Sequence, residues 1–392
     1  MAILAFGGLP VLAASDPLPQ VVLVGGEGIP SGVPRHICHL AAAYQRLAKV
    51  TVLSDINHGG YDALLDLDVR HVILPGLSTR LSLSHMWQGW RGLLNFLKKS
   101  NPDLVWIHAR LPSLMGRAAL ALRLWRPRGA TAFTIHGLSY GKGHKPHASA
   151  ISLAVEKMLM SACPRTNIVF LSQDMADRAR TTLGAKRLAR HHVHILPNCS
   201  DLGDLPPVIR GAAPSLVMTG RAGQQKNYAL AARMLVHLPK DYTLILCGSG
   251  TETDDFQSSI AAMVPADVRA RILCTGPVRD VRPYLRKADA YLLTSRYEGT
   301  PIGTLEAFEA GLPIILSNFE GADALVSQHP LGIALDFGNL EDAARRIEQL
   351  VTTARNGDDS YRQRARQVWE KEWSPQVFTK RCRALLQNFL NR

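Results

Sequence analysis

The sequence predicts an α/β protein built from two doubly wound, Rossmann-like domains that face a central cleft. The chain has 392 residues, too many for one ordinary hydrophobic core and enough for two domains of roughly 200 residues each. Short apolar runs alternate with helical patterns from end to end. These runs are continuous in apolar residues, which is typical of parallel strands covered by helices on both faces. Because 46% of the residues are hydrophobic and no window reaches about 18 consecutive apolar residues, we predict a globular protein without a transmembrane helix.

Two successive β/α series make up the chain, and residues 199–214, rich in Pro, Gly and Asp, form a linker between them. In the first series we predict strands at residues 21–26, 49–55, 103–109, 131–137, 167–173 and 192–198, and helices at 32–47, 84–99, 113–125, 148–161 and 174–184. In the second series we predict strands at residues 215–221, 242–250, 270–276, 290–295 and 312–318, with helices between them. The C-terminal stretch is predicted as two helices broken between Ser374 and Pro375. We therefore expect domains at residues 1–205 and 206–370, with functional residues where strands end at the cleft.

The positive charge lies almost entirely in the first half of the chain. Residues 1–205 carry a formal net charge of +10, and the remaining residues carry +3. Such a half could face nucleic acid, an anionic membrane or an acidic substrate, and nucleic acid is the weakest of the three because no nucleic-acid-binding motif accompanies it. The candidates for a basic face are Arg110, Arg117, Arg123, Arg126, Arg128, Lys142, Lys145, Lys186, Arg187 and Arg190.

The cysteines and the N-terminus favour a cytoplasmic protein. The six cysteines are scattered without a CxxC pair, which argues against a disulfide scaffold or a cysteine zinc site. His191, His192 and His194 have no cysteine or acidic partner nearby, so we interpret them as a strand entry with solvated rings. The first residues, MAILAFGGLPVLAAS, are apolar but lack a basic start. This favours a short extension, packed or touching a membrane, over a cleaved signal peptide.

Two cations follow the first predicted strand of the second domain. In TGRAGQQKN (219–227), Gly220 allows a sharp turn, and Arg221 and Lys226 stand on the loop that follows. A guanidinium and an ammonium that converge on a cleft bind a diphosphate well. By itself, however, a loop with two cations is more often simply solvated.

The stretch SRYEGTPIGTLEAFEAGLPI (295–314) places carboxylates beside a glycine-rich helix start. Gly303 and Thr304 lie at that start, where free backbone N–H groups and the helix dipole favour an anion. Glu306, one turn into the helix, suits a vicinal diol such as a ribose, and Glu298 suits the hydroxyls of a second sugar. The spacing fits a sugar–diphosphate–nucleoside. On spacing alone, the alternative of a helix-start charge and an exposed turn residue stays open.

These residues resemble the signature of glycosyltransferase family 4, retaining enzymes of the GT-B fold. Glu298 and Glu306 match the E-x7-E pattern of that family, and Arg221 with Lys226 matches its G-R-x-x-x-x-K pattern. In the strand–loop–strand run before E-x7-E, LILCGSG and TGPVRDVRPYLRKADAYLLTS are also similar to the family.

The resemblance extends through the first domain with softer motifs. Residues 25–44, GGEGIPSGVPRHICHLAAAY, resemble the glycine-rich loop and first helix of the family, and IHG (135–137) matches a strand end that often carries histidine. ILPNCSD (195–201) is similar to I-P-N-G-V-D, with Cys199 where glycine is usual. The resemblance thus covers nearly the whole chain. It implies the GT-B fold, in which we expect the last helix, residues 371–392, to cross back to the first domain.

The resemblance also implies roles for individual residues around a donor, most simply a UDP- or GDP-sugar. Arg221 and Lys226 would hold its diphosphate and stabilise the departing charge. Glu306 would accept the ribose hydroxyls, and Glu298 those of the sugar. The remaining implied donor contacts are Gly220 in the turn, Val278 and Arg279 near the base, the backbone amides near Gly303 and Thr304, the neighbouring Leu305, and Gly25, Gly26 and Gly32, which would let the first domain close. Family members need no metal, and the sequence lacks a DxD-type cation site.

His136 ends a predicted strand just before a glycine. It is either a plain turn residue or, if it faces the cleft, a contact to the donor sugar or a group that orients the acceptor. A covalent nucleophile is not obvious in a retaining enzyme of this kind, and the leaving phosphate can take the proton itself. We therefore assign His136 a positioning role rather than that of a general base.

We predict a retaining, cytoplasmic glycosyltransferase, peripheral on the inner face of the cell membrane. It would move a hexose-type sugar to a lipid-linked or polysaccharide acceptor of lipopolysaccharide, O-antigen or capsule type, bound by the basic first domain. The helix at residues 85–99 puts Trp87 and Trp90 on one face, for membrane contact or, as we favour, for core packing. The basic loop 139–149 is expected near the acceptor.

Three alternatives remain. One is a soluble transferase for a small phosphorylated acceptor. The second is an inactive scaffold, which the presence of all four residues of the two motifs disfavours. The third is a nucleotide-sugar epimerase, which the E-x7-E spacing disfavours.

Overall fold

The first half of the chain forms a parallel seven-stranded sheet. A computed structural model describes residues 17–79 and 82–391, so the expectation for the N-terminal extension (residues 1–16) lies outside the described residues. The strands are β1 (Gln20–Val24), β2 (Lys49–Ser54), β3 (Arg70–Ile73), β4 (Leu104–Ile107), β5 (Ala130–Ile135), β6 (Asn167–Phe170) and β7 (His192–Ile195). Their spatial order is β3-β2-β1-β4-β5-β6-β7.

The second half forms a parallel six-stranded sheet. Its strands are β8 (Ser215–Thr219), β9 (Thr243–Cys247), β10 (Ile272–Gly276), β11 (Ala290–Leu293), β12 (Ile314–Ser317) and β13 (Gly332–Leu335). The order β10-β9-β8-β11-β12-β13 reverses direction between β8 and β11, as the first sheet does between β1 and β4. Two doubly wound domains are therefore confirmed, each with one switch point where loops diverge and leave a crevice.

Helices cover both faces of each sheet. In the first half they are α1 (Gly32–Tyr44), α2 (Leu83–Ser100), α3 (Arg110–Ala121), α4 (Pro146–Ala162), α5 (Gln173–Leu183) and α6 (Ala185–Leu188). In the second half they are α7 (Tyr228–His237), α8 (Asp254–Ala261), α9 (Ala266–Arg269), α10 (Arg282–Lys287), α11 (Ile302–Ala310), α12 (Ala322–Val326), α13 (Leu340–Asn356), α14 (Ser360–Glu372) and α15 (Pro375–Leu390). Over the described residues, none of these helices combines the length and apolarity needed to cross a bilayer.

The first sheet has a core on each face. Val21 and Leu23 of β1 point into one apolar cluster, and Val22 and Val24 point into the other, because successive strand residues face opposite sides. Helix α15 contributes to the first of these clusters through Phe378, Leu385, Leu386 and Phe389. It lies against α1, where the hydroxyl of Tyr44 donates to the carbonyl of Cys382 at 2.7 Å.

Two edge strands, β3 and β13, were not predicted from the sequence. Each has only four residues, and their side chains are mostly half-buried or exposed. A strand at the edge of a sheet is covered less completely than a central one, and β3 (RHVI) accordingly begins with two polar residues, whereas β13 (GIAL) is apolar but short. Helix α3 also begins three residues earlier than predicted, at Arg110.

Arg117 corrects the expected basic face. It is only 2% exposed, and its guanidinium donates to both carboxylate oxygens of Glu156 on α4, at 2.7 and 2.9 Å. The other candidates do not form one surface either. Arg126 and Arg128 precede β5, whereas Lys142 and Lys145 follow it, so a strand length of about 20 Å separates the two groups.

Two further interpretations are settled by burial. Helix α2 buries Gly89, Leu93 and Leu97, with Trp90 packed beside them, so core packing is its main role, and Trp87 is the exposed tryptophan of this helix. His191 is buried and bonded to the carbonyl of Met160, so the expectation of a solvated ring is wrong there.

Candidate active site

The carboxyl ends of the two sheets face each other at their switch points. Residues 25–27 follow β1, and His108 follows β4 in the first domain. In the second domain Gly220 and Arg221 follow β8, and Ser295 follows β11. Open parallel sheets bind ligands at this position, because loops on either side of the switch point leave in opposite directions.

Two helix N-termini meet across the cleft. Gly32 is the first residue of α1, and a Cβ at this position would lie 3.7 Å from Cδ1 of Ile302, the first residue of α11. Behind this contact, Nη1 of Arg35 donates to Oε1 of Glu306 at 2.6 Å. Helix N-termini carry partial positive charge and unpaired N–H groups, so this junction favours an anion.

The free amides at the start of α11 differ from those expected. The amides of Thr304 and Leu305 both donate to the carbonyl of Pro301, at 3.0 and 3.3 Å. Ile302 and Gly303, the first two helical residues, are therefore the ones whose amides can reach a ligand. Of the amides predicted near Gly303 and Thr304, that of Gly303 is therefore the one left for a ligand, and the side chain of Leu305 lies in the core.

Gly303 allows the first turn of α11 to pack closely against the side chains of β8 and β11. A Cβ at this position would lie 2.2 Å from the hydroxyl oxygen of Tyr291 and 2.3 Å from Oγ1 of Thr219. The hydroxyl of the next residue, Thr304, is buried and has no hydrogen-bond partner among the described residues.

Lys226 and Glu298 are brought together as an ion pair. Nζ of Lys226 donates to Oε1 of Glu298 at 2.8 Å, and Oγ of Ser295 donates to the same oxygen at 2.7 Å. The turn at Gly220 has a φ of +137°, and a Cβ there would lie 2.5 Å from Cε of Lys226. Glycine is required at this position both for the backbone conformation and for the lysine to lie across it.

Arg221 bonds a residue of the opposite domain. Its Nη1 donates to Oε2 of Glu27 at 2.8 Å, and both side chains are about half exposed. Glu27 belongs to the glycine-rich loop after β1, so this ion pair crosses the mouth of the cleft. Each of the two cations predicted to hold a diphosphate therefore has a carboxylate as its partner in this structure.

The burial of the two carboxylates excludes the interpretation of Glu298 and Glu306 as solvated groups. Glu306 is 4% exposed, and the side chain of Glu298 is 7% exposed, so neither is a solvated cap. Glu309, one turn beyond Glu306, turns to the linker, where it accepts from Oγ of Ser200 at 2.7 Å and the amide of Leu202 at 2.8 Å. Burial raises the pKa of Glu309, and its role is to join linker and helix.

Backbone hydrogen bonds join the ends of β8, β9 and β10 to one another. The amide of Gly220 donates to the carbonyl of Cys247, and the amide of Gly248 donates to the carbonyl of Gly276, both at 2.9 Å. Val278 and Arg279 lie just beyond, Val278 half-buried against the core and Arg279 exposed. This places the residues predicted near a base on the wall beside the Arg221 turn.

The glycines after β1 serve close packing within the first domain. A Cβ at Gly25 would lie 1.9 Å from the hydroxyl oxygen of Tyr61, and a Cβ at Gly26 would lie 2.7 Å from Cβ of Ala109. Of the three predicted glycines, Gly32 is therefore the one that meets the second domain.

His136 lies against the loop that carries Glu298. A Cβ at Gly299 would lie 2.0 Å from the carbonyl oxygen of His136, so only glycine fits there. The ring nitrogen Nε2 is buried without a partner among the described residues. Burial lowers the pKa of His136 to about 3, so the imidazole is neutral at physiological pH.

Comparison with known protein families shows to which family this chain belongs. A family profile described as Glycosyl transferases group 1 matches residues 207–368, and one described as Glycosyltransferase Family 4 matches residues 30–204. The chain belongs to glycosyltransferase family 4. The predicted family and the predicted enzyme class, a glycosyltransferase, are thereby confirmed.

Known relatives of this glycosyltransferase support the same assignment. It is 25% identical over 294 residues to an Escherichia coli UDP-Gal:alpha-D-GlcNAc-diphosphoundecaprenol alpha-1,3-galactosyltransferase, covering 71% of this chain and 73% of that protein. It is also 25% identical over 295 residues to the lipopolysaccharide core biosynthesis glycosyltransferase LpsD of Rhizobium meliloti, covering 73% and 75% of the two chains. The crystal structure of Anabaena HepE in complex with UDP-glucose superposes with a TM-score of 0.74 at 14% identity, over 94% of this chain and 100% of that chain. This last likeness confirms the GT-B fold.

Glu27 and Arg35 of the glycosyltransferase were not singled out from the sequence, although both lie in the stretch that resembles the family's first loop and helix. If Arg221 binds a nucleotide diphosphate, as the family resemblance implies, the Glu27→Gln variant should bind UDP about 2- to 5-fold more tightly, because the carboxylate no longer competes for Arg221. Calorimetry at low salt measures the change, with the exposed Glu348→Gln as the control. Weaker binding by Glu27→Gln would mean that Glu27 itself contacts the nucleotide.

Proposed function

We propose that this glycosyltransferase moves a hexose-type sugar, with retention, from a nucleoside-diphosphate sugar to a lipid-linked or polysaccharide acceptor. The observation that carries the proposal is the buried pair of carboxylates, Glu298 and Glu306, beside two converging helix N-termini and the cations Arg221 and Lys226. A sugar nucleotide is a ligand that needs hydroxyl acceptors on both sides of a diphosphate site.

The donor in this proposal replaces contacts that the protein now makes with itself. Its diphosphate lies against the first amides of α11 and takes Arg221 from Glu27. Its ribose hydroxyls take Glu306 from Arg35, and its sugar hydroxyls bond Glu298, which Ser295 and Lys226 hold in place. The base lies on the wall formed by Val278 and Arg279. We propose UDP as the first nucleotide to test and GDP as the second, and no residue of this scheme requires a metal.

The chemical step in this proposal uses electrostatic stabilisation. The bond between the sugar and the diphosphate breaks, the diphosphate leaves with the bonding electrons, and Lys226 and Arg221 stabilise its charge. The acceptor hydroxyl attacks the anomeric carbon on the same face and gives its proton to the leaving phosphate. The half-buried imidazole of His136 positions the reactants, since burial of the ring lowers its pKa to about 3 and makes it a weak base at pH 7.

The acceptor side is supported by the loop between β5 and α4. The ring of His144 stacks on Tyr297 with centroids 4.0 Å apart, and Nζ of Lys142 donates to the carbonyl of Asn318 at 2.7 Å. This loop spans the cleft beside the residue that precedes Glu298. We propose that the acceptor enters along it. The names of the E. coli and R. meliloti relatives favour a lipid-linked or lipopolysaccharide acceptor.

We also propose the domain boundaries 1–205 and 206–370, with residues 371–392 returning to the first domain. The bonds from Ser200 and Leu202 to Glu309 support a linker held against the second domain. The contact between α15 and α1 supports the return.

The test of the donor site is a screen of UDP-, GDP-, ADP- and dTDP-sugars for thermal stabilisation and slow hydrolysis. We expect one nucleotide to raise the Tm of the wild-type protein and to be hydrolysed slowly. Glu306→Ala should lose both effects, because Glu306 is the proposed partner of the ribose. If no nucleotide sugar binds, the catalytic proposal fails and the scaffold alternative gains support.

Flotation with vesicles tests the acceptor side and the proposed cytoplasmic, membrane-peripheral location. We expect the protein to float with vesicles of anionic lipid and to remain behind with neutral ones, because the charge of +10 on residues 1–205 attracts an anionic surface. The same measurement at high salt is the control. If no flotation occurs at low salt, the alternative of a small, soluble acceptor is favoured.

A further inference from the structure

Three histidines from separate elements meet behind the proposed donor site. His36 lies on α1, His108 follows β4, and His136 follows β5. Their ring centroids are 5.0 to 5.7 Å apart. One nitrogen from each ring lies within 4.8 Å of the corresponding nitrogen of the other two. The three histidines are far apart along the sequence, with more than 25 residues between each one and the next, so the fold brings them together.

The tautomer of His36 follows from its partner. Nδ2 of Asn198 donates to the carbonyl of Thr300 at 2.7 Å, so Oδ1 is the atom of Asn198 that faces His36. Oδ1 lies 2.9 Å from Nδ1 of His36, and since a carbonyl oxygen only accepts, this nitrogen carries the proton. The lone pair of His36 is therefore on Nε2, which is buried and has no hydrogen-bond partner among the described residues.

His108 and His136 present further unpaired nitrogens to the same space. Both ring nitrogens of His108 and Nε2 of His136 lack a partner within the described part of the chain. His36 is 1% exposed and His108 is 2% exposed, so bulk water does not solvate them. A buried polar atom left unpaired is destabilising, so four such atoms in one cluster are unusual in the absence of a ligand.

We propose that His36, His108 and His136 form a binding site for a divalent transition-metal ion, with Zn²⁺ as the preferred occupant. Three imidazoles are a common zinc ligand set, whereas Mg²⁺ and Ca²⁺ prefer oxygen ligands. Zinc–nitrogen bonds of about 2.0–2.1 Å in a tetrahedral site place ligand nitrogens roughly 3.4 Å apart. The ring nitrogens lie up to 4.8 Å apart, so binding would draw them together by up to roughly 1.4 Å.

Asn198 supplies the hydrogen bond that would orient His36 as a metal ligand. A ligating histidine usually donates its second ring N–H to an oxygen that fixes its orientation, and Oδ1 of Asn198 does this for His36. The same side chain reaches Thr300, two residues after Glu298. A bound ion would thus join α1, β4 and β5 and, through Asn198, the loop that carries Glu298. This site goes beyond the proposed sugar transfer but shares His136 with it, so a bound ion would fix the ring that positions the reactants.

The experiment uses the full-length protein stripped of metal by a chelator and titrated with Co²⁺ and Zn²⁺. We expect the visible spectrum of four-coordinate Co²⁺ with nitrogen ligands at one ion per chain, and its loss when Zn²⁺ is added. His108→Ala should abolish this spectrum, and Asn198→Ala should weaken Zn²⁺ binding about 10- to 100-fold. The exposed His237→Ala should leave both unchanged.

Several results would overturn the proposal. One is a wild-type protein that gives no Co²⁺ spectrum and binds no Zn²⁺ by calorimetry. Another is Zn²⁺ binding that persists in His108→Ala, because the ion would then occupy another site. Should His108→Ala not fold, His36→Gln serves as the second variant, with the same expected loss. A water molecule bonded to the three rings in a crystal grown with Zn²⁺ would equally rule out a metal there. Donor binding by the metal-free protein is read separately, so failure of this site is distinguishable from failure of the transferase proposal.

Discussion

Lys226→Ala is expected to reduce the kcat for sugar transfer by about 100- to 1,000-fold, the effect of removing one preorganised charge from a developing anion. In the proposed mechanism the ammonium stabilises the departing diphosphate. The same group holds Glu298, because its Nζ lies 2.8 Å from Oε1 of that carboxylate. The loss therefore affects both the leaving group and the carboxylate that is to bind the sugar.

Steady-state kinetics with the donor identified by the screen measure this effect. Lys240→Ala is the matched control, since it removes an exposed lysine of the same domain that lies before β9, away from the cleft. Thermal unfolding of both variants checks that the fold is intact. A Lys226→Ala enzyme with a kcat within about 2-fold of wild type would contradict the proposed role. A rise in KM alone would mean that Lys226 binds ground and transition states equally.

Glu156→Ala is expected to lower the free energy of unfolding of the first domain by about 3–5 kcal/mol. The change leaves the guanidinium of Arg117, which is 2% exposed, as a buried charge without its carboxylate. Urea unfolding followed by circular dichroism measures the difference. Glu348→Ala, which removes an exposed carboxylate from α13, should change stability by less than about 0.5 kcal/mol.

A double variant separates the pair from the packing around it. Arg117→Met combined with Glu156→Leu removes both charges and leaves apolar side chains of similar size. It should be clearly more stable than Glu156→Ala, because replacing a buried ion pair as a whole is often close to neutral. If Glu156→Ala costs less than about 1 kcal/mol, water reaches Arg117 in solution and the pair is not buried as described.

The wrong assignment of Arg117 shows the limit of charge counting. Arginine is almost never fully buried unless it is paired, so a sequence argument places it on the surface. Its partner Glu156 is 39 residues away on another helix, and no local pattern joins the two. The histidine cluster escaped for the same reason. The sequence pointed to His136 alone and to the adjacent His191, His192 and His194, whereas His36 and His108 join His136 only because α1 begins where β4 and β5 end.

The sequence by itself determined the two doubly wound domains, the family and the loops on which the proposed donor residues stand. These follow from local patterns: continuous apolar runs, a glycine turn before two cations, and two glutamates at a fixed spacing around a helix start. Only the tertiary structure decided that Glu298 and Glu306 are buried and that Glu27 and Arg35 of the first domain bond Arg221 and Glu306 of the second. Burial and ion pairing across a cleft depend on which chain segments meet in space. Parallel sheets bring together residues nearly 200 positions or more apart, and no spacing along the chain records that.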